Sequence, residues 1–89
     1  MSSIKEVYHP NAYLKQVKNV KTGLNVRTKI LRQLDNQPYT ASKIAKNASL
    51  SYNVIMYHLR LLEKDATVSR RGGRPRIWVI TGLGQKRLI

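Results

Sequence analysis

One stretch constrains the chain more than any other: Leu50 to Lys64, Leu-Ser-Tyr-Asn-Val-Ile-Met-Tyr-His-Leu-Arg-Leu-Leu-Glu-Lys. The spacing predicts a helix with two different faces. Ser51 suits an N-cap, because its hydroxyl can accept from an amide that the first turn leaves without a partner. Leu50 before the cap and Ile55 within the helix fit a hydrophobic staple, which fixes how the chain enters. Ile55, Leu59 and Leu62 then recur at i, i+4 and i+7 and stack as one apolar stripe. Tyr52, Asn53, Met56, Tyr57, Arg60 and Lys64 fall on the other side. That outward set combines cations, an amide and two phenols with no acid, which suits contact with an anion better than contact with a neutral core.

The rest of the chain repeats that preference for anions. Its 89 residues make one small domain, near the size where a single core just suffices. Seventeen Lys and Arg stand against four Asp and Glu, a formal charge of +13. A chain so charged repels itself unless a polyanion compensates, which means DNA, RNA or an anionic membrane. Membrane is the weakest choice: no run of about 18 apolar residues exists, and Met-Ser-Ser-Ile-Lys-Glu at the start has no signal-peptide core. The absence of cysteine removes disulfides and thiolate metal sites and fits a cytoplasmic protein. The charge is uneven. Residues 70–89 hold six cations and no acid, whereas Arg60 and Lys64 are balanced by Glu63 and Asp65. Flanks that attract phosphate and a near-neutral helix that reads bases would divide the work of recognition.

In chain order, Met1 to His9 reads as a polar tail. Together with a short helix expected over 12–22, capped by Asn11 and carrying Tyr13, Leu14, Val17 and Val20, it makes a basic extension over residues 1–24. Gly23 supplies the left-handed stop. Asn25 then caps a helix to about Asp35, with Val26, Ile30, Leu31 and Leu34 inward and Arg27, Lys29 and Arg32 directed elsewhere. Pro38 breaks the chain, and Tyr39 can add a short strand. Thr40 caps a helix over 41–47, with Ala41, Ile44, Ala45 and Ala48 inward, and Ala45 small enough for two helices to cross closely. Asn47-Ala48-Ser49 is the turn before the organising helix. After Asp65 the period becomes extended: 67–70 and 76–80 read as paired strands around the turn-rich Arg71-Gly72-Gly73-Arg74-Pro75. Thr81 caps a last short helix to Leu88. The expected shared core is Ile30, Leu34, Ile44, Leu50, Ile55, Leu59, Leu62, Val68 and Trp78. The fold class is therefore α+β, mainly α: three helices, a two-stranded β wing and a short C-terminal helix over residues 25–89, a winged helix-turn-helix.

From Leu24 to Leu88 the chain resembles the ArsR-type winged-helix family, especially its small archaeal relatives. The resemblance rests on Val26-Arg-Thr-Lys-Ile-Leu-Arg-Gln-Leu34, Thr40-Ala-Ser-Lys-Ile-Ala45, Leu50-Ser51, His58-Leu59 with Leu62-Glu63, the wing, and Ile80-Thr-Gly-Leu-Gly84. It implies three helices, a two-stranded wing and a closing helix, with DNA bound by the third helix, in many members as a dimer. Three departures stand out. The cysteine pair of metal-sensing members is missing, since that region reads Ile44-Ala-Lys-Asn-Ala48, so metal sensing of that type is not expected. The family's Ser, Thr and Arg at the reading positions are replaced by Asn53, Val54, Met56 and Tyr57. The closing helix is also too short to serve as the long dimerising helix of the family.

Nucleic-acid contact is assigned to Tyr52, Asn53, Met56, Tyr57, Arg60 and Lys64 on the reading helix, Arg70, Arg71, Arg74 and Arg76 on the wing, and Lys43 and Lys46 on the preceding helix. The bland alternatives are a solvated hairpin tip and an ordinary exposed helix face. Arginines around two glycines with no acid nearby suit phosphates or a minor groove. His58 is expected to pack near the core with one nitrogen hydrogen-bonded. No metal, cofactor or catalytic constellation is legible, since the four acids are scattered away from any base or nucleophile. Three readings compete: double-stranded DNA, for a regulator or chromatin-associated protein; ribosomal RNA, for a structural protein of an archaeal-type ribosomal subunit; and a protein-interaction module, for which a charge of +13 is an odd surface. DNA is preferred because the order of elements is the more specific signal. Nothing in the sequence marks a small-molecule effector or sets the oligomeric state.

Overall fold

A computed structural model describes residues 8–15 and 18–81. Its elements run α1 (Lys21–Asn36), β1 (Tyr39–Thr40), α2 (Ala41–Ala48), α3 (Tyr52–Lys64), β2 (Val68–Arg71) and β3 (Ile77–Ile80), preceded by a 3-10 turn at Pro10–Ala12. The closing helix expected after Thr81 and the first seven residues of the tail expected over Met1 to His9 lie outside the described residues.

Local chemistry sets the ends of the two central helices. The Thr40 hydroxyl accepts from Lys43 N at 3.2 Å, and the Ser51 hydroxyl accepts from Val54 N at 3.2 Å, the two caps expected from the sequence. Helix α2 ends with Ser49 in the left-handed region at φ 57°. There Leu50 N donates to Ala45 O and Ser49 N to Lys46 O, the paired bonds that close a helix C-terminus. The same device ends α3, where Ala66 at φ 62° donates to Glu63 O and Thr67 N donates to Leu62 O. Both reversals are tight, so α2, α3 and the hairpin follow one another with little slack.

The core forms where the apolar stripes converge. Ile30, Leu31, Ile44, Ile55, Leu59 and Leu62 are fully buried, and Leu34, Val68 and Trp78 nearly so. Of the expected core, Leu50 alone stays half-buried, packed against the cluster from the turn. The sheet has three strands in the order β1-β3-β2, all antiparallel. Tyr39 pairs with Trp78, Thr40 with Ile77, and Arg70 with Trp78, so the hairpin is tied to the start of α2 through β1. A two-stranded wing was expected, and the strand suggested by Tyr39 completes it.

The N-terminal segment departs from expectation in four ways. Residues 13–15 and 18–20 are not helical, and α1 begins at Lys21. Val20, not Asn25, is its N-cap residue. Gly23 lies inside the first turn and is no helix stop; a Cβ there would come within 2.7 Å of Arg27 Nη1. His9 is not part of a free tail, since it is only 4% exposed. The physical reason is a set of polar bonds that periodicity cannot register. The His9 amide donates to Thr28 Oγ1, its Nε2 meets Asp35 Oδ2 at 2.9 Å, and its Nδ1 accepts from Asn11 N. Ala12 and Leu14 are then buried against α1. The segment is a strap across the helices.

Arg27, expected to point outward, sits beneath that strap at 3% exposure. Its Nε donates to Ala12 O at 2.6 Å, its Nη2 to Asn19 Oδ1 and its Nη1 to His58 Nδ1 at 3.2 Å. Because guanidinium can only donate, His58 must accept at Nδ1 and carry its proton on Nε2. Burial draws the Arg27 pKa below its ordinary value, with Tyr57 and Asp65 acting in the other direction. The expectation of a core-packed His58 with one bonded nitrogen holds.

Candidate nucleic-acid interface

With Ile55, His58, Leu59 and Leu62 turned inward, the 100° step per residue fixes the remaining faces of α3. Asn53, Tyr57, Arg60 and Lys64 form the ridge farthest from the core, and all four are exposed. Tyr52 and Met56 lie on the flank toward the hairpin, Tyr52 exposed and Met56 half-buried against the core. Val54 lies on the opposite flank and is 39% exposed. Ser51 fixes the start of this ridge through its cap, so the first turn is rigid where it protrudes.

A cleft of about 390 Å³ separates α3 from the hairpin. Tyr52, Met56 and Arg60 line one wall, Arg70, Arg74, Pro75, Arg76 and Trp78 the other, and Thr40, Ala41 and Ser42 at the start of α2 close one end. Among the expected contact residues, the structure therefore brings Tyr52, Met56 and Arg60 together with Arg70, Arg74 and Arg76. Arg71 stands exposed at the end of β2. Lys43 and Lys46 are exposed on α2 and line none of this cleft.

The four hairpin arginines are not equivalent. Arg70 makes a two-pronged pair with Glu63, at 3.1 and 3.0 Å, and its guanidinium lies 5.3 Å from the Trp78 ring centre. It works as a strut between α3 and the hairpin, a planar fork meeting a carboxylate. Arg71, Arg74 and Arg76 are exposed around the tip, and Gly72 takes φ 81° there, a conformation suited to glycine. Sequence reasoning placed Val54 at a reading position without counting it as a contact residue, and it missed the start of α2 as the closed end of the cleft. Position within a helix turn signals the first. No local signal announces the second, because it depends on β1 pairing with β3.

Among the described residues, no three His, Cys, Asp or Glu side chains gather as a metal site. No described helix is long and apolar enough to cross a membrane.

Three helices, a tight turn between the second and third, and a basic hairpin beside the third define a winged helix-turn-helix, which offers its third helix to duplex DNA. The chain belongs to the arsR family of bacterial regulatory proteins, whose family model matches residues 25–69, just over half of its length. It is a DNA-binding winged-helix transcription regulator. Among solved structures it is similar to a possible transcriptional regulator for arsenical resistance, with a TM-score of 0.64 at 23% identity over 72% of this chain and 68% of that one. It is also similar to HlyU from Vibrio cholerae N16961, with a TM-score of 0.62 at 18% identity over 72% of each chain. Both likenesses are of fold. No curated protein matches the sequence. The alternative of a ribosomal RNA-bound protein finds no support: the family match falls on the helix-turn-helix and the start of the wing's first strand.

Proposed function

We propose that this regulator binds duplex DNA with α3 laid in the major groove and the hairpin tip on the neighbouring backbone and minor groove. The observation that carries the reading is the exposed ridge of Asn53, Tyr57, Arg60 and Lys64, flanked by an arginine-lined cleft. Asn53 and Tyr57 occupy the base-reading positions, while Arg60 and Lys64, farther along the helix, meet phosphates. Tyr52 and Met56 pack against the sugar edge from the cleft side. Arg71, Arg74 and Arg76 neutralise phosphates or enter the minor groove, with Arg70 holding the hairpin at its working angle. Lys43 and Lys46 extend the positive field along α2. A protein built this way acts by occupying DNA in the cytoplasm and not by catalysis.

Selection from a random duplex pool tests the reading. The native protein should enrich a motif. Asn53→Ala should weaken binding to that motif by about 1–3 kcal/mol, the worth of one bidentate base contact, while leaving non-specific binding nearly unchanged. An equal loss on specific and random duplexes would place Asn53 on the backbone and overturn the assignment.

A further inference from the structure

We propose that this protein selects A·T base pairs, with Asn53 and Val54 reading the major groove and the arginine hairpin tip reading the adjoining minor groove. The inference rests on the binding mode proposed above and names what that mode recognises. Base edges are reached by the N-terminal residues of a helix set in the major groove. In the first two turns of α3 the exposed side chains are Tyr52, Asn53, Val54 and Tyr57. Guanine is read by Arg or Lys on O6 and N7, and cytosine by Asp or Glu on N4. Neither kind of side chain stands there. The first cation of α3 is Arg60, in its third turn, and the first acid, Glu63, is held by Arg70.

What does stand there matches adenine and thymine. The Asn53 amide has one donor and one acceptor for adenine N6 and N7, and it bonds to no described group. The next residue, Val54, holds its methyl groups 39% exposed on the neighbouring flank. Only thymine offers a methyl group in the major groove for them to cover. Successive residues advance 1.5 Å and turn 100°, so an amide and a branched alkyl group face two neighbouring positions of the groove.

The hairpin selects the same pair by different chemistry. Arg71, Arg74 and Arg76 are exposed around a tip with no described acid on them. A·T tracts narrow the minor groove and deepen its negative potential, which draws in guanidinium groups. Guanine would put its N2 amino group on the floor of that groove. Two elements with unrelated chemistry thus prefer one base pair, and their spacing is fixed by the Arg70–Glu63 strut.

Three duplexes of equal length separate the contributions: A·T, G·C, and inosine·cytosine, which has the major-groove functional groups of G·C but lacks the minor-groove amino group. The native protein should bind A·T about tenfold or more tighter than inosine·cytosine, from the major-groove contacts. It should bind inosine·cytosine several-fold tighter than G·C, from the hairpin. Uracil in place of thymine should weaken the A·T complex several-fold, and Val54→Ala should abolish that difference. Arg71→Ala with Arg74→Ala should weaken binding to all three duplexes and abolish the preference for inosine·cytosine over G·C, while leaving that for A·T over inosine·cytosine. The uracil comparison uses the native protein, so it decides the matter whatever the variants do. Equal binding to all three duplexes, or indifference to the thymine methyl, overturns the inference and leaves DNA binding standing. Failure to bind any duplex at low salt overturns both.

Discussion

Protonating His58 would place two cations 3.2 Å apart in the interior, because Arg27 Nη1 already donates to its Nδ1. Burial is the larger cause and Arg27 the second, and together they push the His58 pKa down to about 4. The unfolded chain, with an ordinary histidine near 6.5, therefore binds this proton more readily than the native protein. The contribution of neutral His58 is complete above that value and is lost as pH falls from about 6.5 toward about 4. Thermal unfolding between these limits should show stability falling with acid, and more steeply in the native protein than in His58→Gln. Identical pH slopes would mean that His58 protonates without cost. Leu59, fully buried one residue on, makes the simpler case. Leu59→Ala should cost about 2–5 kcal/mol in denaturant unfolding; less than about 1 kcal/mol would show a site able to collapse. At this scale the sequence marked Leu59 by its period and His58 by its neighbourhood. It placed Arg27 outward because an arginine beside an apolar stripe is ordinarily solvated, and its acceptors come from residues 12, 19 and 58, distant in sequence.

Elements were legible where their signals are local. The caps of α2 and α3 need one side chain and an amide three residues on, and both Thr40 and Ser51 are found doing that work. The hairpin announced itself by a change of period and a glycine pair, and its strands lie within a residue of the expected ones. The start of α1 was not legible, because Val20 caps it with no side-chain bond while the spacing of Tyr13, Leu14 and Val20 mimics a helix. The division of labour on the hairpin was hidden too: Arg70 and Arg71 are neighbours in sequence, yet only Arg70 meets Glu63. Arg71→Ala with Arg74→Ala should weaken duplex binding and reduce the slope of log affinity against log salt by about 0.9 for each phosphate no longer neutralised. Arg70→Ala should instead alter the hairpin's attachment and lower stability. An unchanged salt slope in the double variant would show that the tip points away from DNA.

Across the described residues, the acids are committed to holding the fold while the cations, Arg27 apart, face outward. Of the three acids among the described residues, Asp35 meets His9, Glu63 meets Arg70, and Asp65 accepts from the Lys15 amide. None is left to balance the α3 ridge or the hairpin tip, so the free protein bears most of its +13 as self-repulsion. Salt should then act with opposite signs on two properties of one molecule. Screening shortens the reach of like charges to about 10 Å at roughly 0.1 M, so the melting temperature of the free protein should rise with moderate potassium chloride. The same ions compete for phosphates, so DNA affinity should fall. Duplex DNA at low salt should raise the melting temperature by mass action, and that increment should shrink toward zero as salt is added. Melting curves with and without duplex across one salt series test all three trends. A free protein that melts lower as salt rises would mean that its ion pairs outweigh its repulsion, and the charge could then no longer be read as a surface awaiting a polyanion.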